Sequence, residues 1–216
     1  MSVGNGRICC NSQTGHSLAK NAEANRLLAK PEPAFIVDSM LGSVARKLRF
    51  FGFDTWYTKN KPDIEIILLG IKHNRVILTC DKDMYKRALK LRAKGTLLNG
   101  LGDLGDIAHV FFIYGTMLST FMHGRPRCPA CNGRTVEVPK SGLKEEILDF
   151  AADHKFFRCC GCDKIYWEGS HYKSLKALSK RIDGRILELL KELSLYTVDY
   201  SAIPRLDFVS WRMHLA

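Results

Sequence analysis

The sequence predicts an α/β protein: a parallel sheet flanked by helices, followed by a small zinc ribbon and a C-terminal helix. Three observations predict this. Short β-branched apolar runs alternate with helical patterns over residues 34–124. Two of these runs lead into aspartates, Ala34-Phe35-Ile36-Val37-Asp38 and Val76-Ile77-Leu78-Thr79-Cys80-Asp81. Two Cys-x-x-Cys pairs, Cys128/Cys131 and Cys159/Cys162, then fall inside residues 125–172.

The elements follow in order. Residues 1–33 are rich in Gly, Asn, Ser and Lys and end in Pro31-Glu32-Pro33, which predicts a flexible N-terminal arm with at most a short helix near 17–30. Cys9 and Cys10 read as free thiols. Residues 34–37 form the first strand. The helix behind it reaches about residue 51, with Leu41, Val44, Ala45 and Leu48 on its core face. Arg46, Lys47 and Arg49 lie off that face, either solvated or in contact with phosphate. Residues 53–57 form a second strand, 64–72 a helix, 76–79 the central strand, 82–93 a helix, 96–99 a fourth strand and 104–121 a long apolar helix. Alternation of this kind favours right-handed crossovers and parallel pairing.

In a parallel sheet, ligands bind outside the carboxyl ends of the strands. Asp38, Asp81 and Asp83 are delivered to that edge. Crowded carboxylates raise one another's pKa unless a cation sits between them, which points to a divalent metal and a phosphate substrate. Each acid has a plainer reading as well. Asp63, after Pro62, either caps its helix or joins the site, with Glu65 close behind. Asp81 caps the next helix equally well, with Asp83 in its first turn. Asp103 and Asp106 read as caps of the fourth helix, with Asp103 within approach of the site.

At 216 residues the chain holds one good-sized domain, or one moderate and one small. Its hydrophobic content of 46% is enough for a core, and its net charge of +11 favours a polyanionic partner, nucleic acid first. No apolar run is long enough for a transmembrane helix and no signal core opens the chain. We therefore expect a reducing, cytoplasmic setting with no membrane association. Four thiolates leave no open coordination position, so Cys128, Cys131, Cys159 and Cys162 predict a structural Zn²⁺ with Cys160 spare. Tyr166, Trp167 and His171 stand among basic residues, where aromatics either stack unpaired bases or pack the ribbon. Residues 173–195 read as a helix with Leu175, Leu178, Ile182, Ile186, Leu189 and Leu193 on one face. This helix, in the extension 173–216, docks on the core or on a protein partner.

Assembled in this order, the chain resembles the PIN-like RNase domain with an appended zinc ribbon, found alone in prokaryotes and at the C-terminus of animal mutator-type exoribonucleases. The resemblance rests on Phe35-Ile36-Val37-Asp38-Ser39-Met40-Leu41-Gly42, on Ala45-Arg46-Lys47-Leu48-Arg49 and Gly52-Phe53-Asp54-Thr55, and on Ile77-Leu78-Thr79-Cys80-Asp81-Lys82-Asp83. Cys128-Pro129-Ala130-Cys131-Asn132-Gly133 and Tyr166-Trp167-Glu168-Gly169-Ser170-His171 extend it through the ribbon. The domains then read as arm 1–33, PIN-like nuclease domain 34–124, zinc ribbon 125–172 and helical extension 173–216. The thirty-odd residues ahead of Ala34 are expected to be an arm, with no exonuclease domain in front.

The resemblance implies a carboxylate cluster of Asp38, Asp63, Asp81 and Asp83, binding Mg²⁺ or Mn²⁺ chiefly through Asp38 and Asp81 and hydrolysing RNA phosphodiesters. Only Asp63 and Glu65 stand where the family carries a richer acidic run. Arg46, Lys47 and Lys82 would steer the RNA. The alternative is a non-catalytic RNA-binding module serving a partner nuclease or ribonucleoprotein.

Overall fold

The computed structural model describes residues 33–100, 102–114, 126–143, 145 and 154–195. The predicted arm, the end of the fourth helix beyond 114 and the tail beyond 195 lie outside the described residues, and the rest falls within one compact unit.

Four strands, β1 (Phe35–Val37), β2 (Thr55–Tyr57), β3 (Val76–Thr79) and β4 (Gly95–Leu97), form an all-parallel sheet in the order β2-β1-β3-β4. The chain steps outward from β1 to β2, then returns across β1 to β3. The carboxyl ends of β1 and β3 therefore flank the point where strand order reverses, which is where open α/β sheets bind ligands. Phe35, Ile36 and Val37 pair with Val76, Ile77 and Leu78 in register, so Asp38 and Thr79 leave the sheet side by side.

Successive strand residues face opposite sides, and the core divides accordingly. Phe35, Val37, Val76 and Leu78 pack under α1 (Gly42–Phe50) and α4 (Asp103–Tyr114). Ile36 and Ile77 pack under α2 (Asp63–Lys72) and α3 (Lys82–Lys90) through Ile66, Ile67, Met84 and Ala88. The predicted core face of α1 is buried at Val44, Ala45 and Leu48. A 3-10 turn at Ser39–Leu41 precedes α1.

The second sheet is antiparallel, β5 (Thr135–Val138), β6 (Phe156–Cys159) and β7 (Ile165–Trp167), in that order. Helix α5 (Ser170–Leu195) starts directly after β7 and packs on α4. Ile182 and Ile186 are fully buried in the same cluster as Phe35 and Phe111, so the apolar face of this helix docks in cis. The helix begins at Ser170, three residues earlier than its apolar stripe predicts, because Ser170 to Tyr172 bring no apolar period to read.

The expected solvated or phosphate-facing position of Arg49 is overturned. Its side chain is buried, and it donates to the carbonyls of Thr55 (2.8 Å), Pro129 (2.8 Å) and Ala130 (3.2 Å). It thereby ties α1 to the first cysteine loop of the ribbon. Asn132 completes the joint: its Oδ1 accepts from the Thr55 amide (3.0 Å) and its Nδ2 donates to Asp54 (2.7 Å).

Candidate functional site

Three features stand out: a thiol cluster beside this joint, a cleft along α1, and an acid edge at the opposite, carboxyl ends of the strands. The thiols of Cys128, Cys131, Cys159 and Cys162 all lie within 4.8 Å of one another. Cys128 and Cys162 approach to 3.7 Å and Cys131 and Cys159 to 3.4 Å, near the edge of about 3.8 Å that a tetrahedron with Zn–S bonds of about 2.3 Å requires. Backbone amides of Gly133 (3.4 Å) and Gly161 (3.3 Å) point at Cys131 and Cys159. A Cβ on Gly133 would stand 2.9 Å from the Cys159 sulfur, so the loop closes on the cluster only as glycine. Burial disfavours the Cys128 thiolate, but the Tyr166 hydroxyl at 3.0 Å and neighbouring amides hold it at about 6. Burial and then the adjacent thiols push Cys131 up to about 12. Four thiolates thus need a cation among them, and a metal such as zinc fits the cradle.

At the acid edge, Asp38 is buried. One of its oxygens accepts from the Met40 amide (2.8 Å), the other from the Thr79 hydroxyl. The same hydroxyl accepts from the Asp81 amide (2.9 Å), so Thr79 joins the two predicted acids. Asp81 caps α3 through Oδ1, which takes the amides of Asp83 (2.7 Å) and Met84 (2.9 Å); those bonds hold its carboxyl below the usual range. Asp106, also buried, accepts from the Gly100 amide (3.1 Å). Burial, and then the charges of Asp106 and Asp38, push the Cys80 thiol up. Asp103 takes Ser43 (2.9 Å) and Lys47 (2.5 Å).

The other predicted acids lie apart. Asp63 pairs with Arg87 (3.2 Å), Glu65 with Lys61, and exposed Asp83 with Lys86 (3.6 Å). Among the described residues the four cysteines are the one group of three or more metal-ligating side chains drawn together; Asp38, Asp63, Asp81 and Asp83 do not close into another.

The cleft, of about 330 Å³, opens between α1, the ribbon and the first turns of α5. Helix α1 contributes Ser43, Arg46, Lys47 and Phe50, and the ribbon contributes Arg127, Phe157, Tyr166, Trp167 and Glu168. His171, Tyr172 and Leu175 close it. Phe157 stands opposite Tyr166 in the β6–β7 register, which puts both rings on one face. A Cβ on Gly169 would meet the Trp167 indole nitrogen at 2.8 Å, so the turn accommodates the ring only as glycine.

Residues 33–179 match the family model of the Mut7-C RNAse domain. The chain belongs to that family. No curated protein and no solved structure matches it. No described helix is long and apolar enough to cross a membrane. The Mut7-C RNAse domain indicates ribonuclease-type chemistry and RNA as the substrate class.

Of the side chains predicted to face RNA, Arg46, Lys47, Tyr166, Trp167 and His171 meet in the cleft, whereas Lys82 sits exposed at the start of α3, away from it. Sequence reasoning missed Phe50, Arg127, Phe157, Glu168 and Tyr172 as cleft residues, and Thr79 as the link between the acids. One signal was available: two adjacent aromatics in a strand, as in Phe156-Phe157, face opposite sides, so one of them must leave the core.

Proposed function

We propose that this Mut7-C RNAse domain binds RNA in the cleft and hydrolyses it at the acid edge with a Mg²⁺ or Mn²⁺ ion, while a structural Zn²⁺ holds the ribbon. The observation that carries this reading is Lys47. It lines the cleft and at the same time bonds Asp103, at the start of α4 and one turn ahead of the buried Asp106 of the acid edge. Arg46 and Arg127 supply phosphate contacts, and the exposed Trp167 offers a stacking face for an unpaired base.

Mg²⁺ usually takes one or two carboxylates, with waters and substrate phosphate filling the remaining positions. Asp38 and Asp81 fit that demand: Oδ2 of Asp81 has no hydrogen-bond partner among the described residues, because both capping amides go to Oδ1. The ion would acidify a bound water and offset charge on the phosphate. Thr79 orients Asp38.

A second reading, a non-catalytic RNA-binding module serving a partner nuclease, draws on the engagement of Asp63 by Arg87 and of Asp81 by the helix start. Cleavage of an end-labelled single-stranded RNA separates the two. It should require added Mg²⁺ or Mn²⁺ and vanish in Asp38→Asn and Asp81→Asn. Withholding the ion is preferable to a chelator, which also strips zinc. RNA that is bound but left intact by wild type and both variants would leave the binding module alone.

A further inference from the structure

The cleft contains one acid, Glu168, among the cations Arg46, Lys47 and Arg127. Such a carboxylate would ordinarily pair with one of them. Lys47 is held by Asp103 and Ser43, and Arg127 by the carbonyls of Gly52 (3.2 Å) and Asn132 (3.1 Å). The Glu168 amide donates to the Lys155 carbonyl (3.3 Å), which anchors the residue beyond the end of β7. Among the described residues its carboxylate has no hydrogen bond and no ion pair, and neither has the Arg46 guanidinium. Glu168 and Tyr172 both line the cleft.

An unpaired carboxylate with two acceptor oxygens, between aromatic walls and under cations, has a defined chemical complement. It fits a flat ring that presents two adjacent N–H donors and carries an anion on its other side. Among RNA bases, guanine alone offers two such donors, N1–H and N2–H, on its Watson–Crick edge. Adenine and cytosine offer one amino group each beside an acceptor. Uracil offers one imino group between two carbonyls, which a carboxylate repels. Bases of single-stranded RNA are read on this edge while stacked on aromatic rings. A volume of about 330 Å³ lies at the small end of ligand pockets, about 300–1,000 Å³, and suits one nucleotide better than a duplex.

We infer that the cleft seats one unpaired guanosine of the RNA, with Glu168 accepting from its Watson–Crick edge, aromatic side chains holding its ring and Arg46 contacting its phosphate. This rests on the RNA-binding reading of the cleft and adds to it a base preference and the residue that sets it.

The test uses the full, zinc-loaded chain and labelled uridine-rich oligonucleotides carrying a single central G, A, C or U, with affinity read by fluorescence anisotropy. The G oligonucleotide should bind about tenfold more tightly than the all-U one, the order expected for a bidentate base contact. Glu168→Ala should erase the difference between the G and all-U oligonucleotides, with both still bound. Glu168→Gln should weaken the G preference, since a carboxamide replaces one of the two acceptors with a donor and matches a donor–acceptor pair on the edge of any base. Retained zinc content in both variants shows that the ribbon is intact. Equal affinities for all four oligonucleotides in wild type, or a G preference that survives Glu168→Ala, would overturn the inference and leave RNA binding standing. Failure to bind any of them at low salt would overturn the RNA-binding reading, and this inference with it.

Discussion

Replacing Arg49 with methionine should loosen the ribbon from the α/β core. The side chain keeps similar length and apolar bulk but loses three donated bonds, to Thr55, Pro129 and Ala130. A hydrogen bond from a charged donor contributes about 1.5–3 kcal/mol when buried. The Thr55 bond is buried and counts in full; the other two are partly buried and count for roughly half, giving a gross loss of about 4 kcal/mol. Relief of the buried guanidinium's desolvation offsets part of this, so the net expectation is about 3 kcal/mol. Against a total stability of about 5–15 kcal/mol this is a large fraction. In urea, with a slope of about 2 kcal/mol per molar, the midpoint followed by circular dichroism should fall by about 1.5 M. Zinc release to a chelator should also accelerate, because Pro129 and Ala130 lie between the first two ligands. A midpoint within about 0.3 M of wild type, with an unchanged slope, would refute the idea that Arg49 holds the two parts together.

Four further outcomes follow from the same contacts. Burial alone would raise the Asp54 carboxyl, yet bonds from Arg75 and Asn132 and the charge of Arg127 hold it below the usual range. Its contribution is therefore present above the unfolded value of about 3.9 and lost as pH falls through the lower folded value; the gap in urea midpoint between wild type and Asp54→Asn should close in that window, and a gap constant with pH would contradict it. Removing the metal proposed for the four cysteines should disorder β5 to β7, seen as loss of Trp167 and Tyr166 signals in NMR, with β1 to β4 retained. Thr79→Val removes the hydroxyl that donates to one oxygen of Asp38 and accepts from the Asp81 amide; it should cost about 1–3 kcal/mol in urea unfolding and slow any RNA cleavage. Phe53→Ala, which removes a ring 5.2 Å from Phe111 and 5.5 Å from Phe35, should cost about 3–5 kcal/mol in thermal or urea unfolding.

The sheet was readable because buried parallel strands declare themselves as short β-branched runs, and because helical periodicity fixes which side of α1 and α5 faces inward. The thiol cluster was readable because two-residue spacing is itself the geometry of a metal knuckle. Strand ends could be placed only to within a residue or two. Gly95–Leu97 pairs where 96–99 was expected, since Leu98 and Asn99 are apolar or neutral enough to continue the pattern after the ladder stops. Arg49 was misread for a different reason. A guanidinium scores as polar in any periodic pattern, and only the ribbon's approach supplies the three carbonyls that bring it inside. The cleft was half legible. Its residues come from three stretches far apart in sequence, so composition flagged Tyr166, Trp167 and His171 without indicating that Arg46 and Lys47 face them. At the acid edge the sequence located Asp38 and Asp81 but had no means of showing that one threonine hydroxyl serves both.

The placement of Ile182 and Ile186 beneath α4 bears on how the chain is made. Synthesis delivers the four strands and α4 first, then the ribbon, and only afterwards the helix that covers Phe111 and its neighbours. Until about residue 190 has cleared the ribosome, the nascent α/β layer stands with an uncovered apolar flank. The middle turns of α5 therefore close a structure begun some 150 residues earlier. Residues 182 and 186 also lie past the stretch matched by the family model, which stops at 179. A chain cut at that point would keep every proposed ligand and cleft residue and still lack the piece that seals its interior, leaving it exposed to chaperones and proteases.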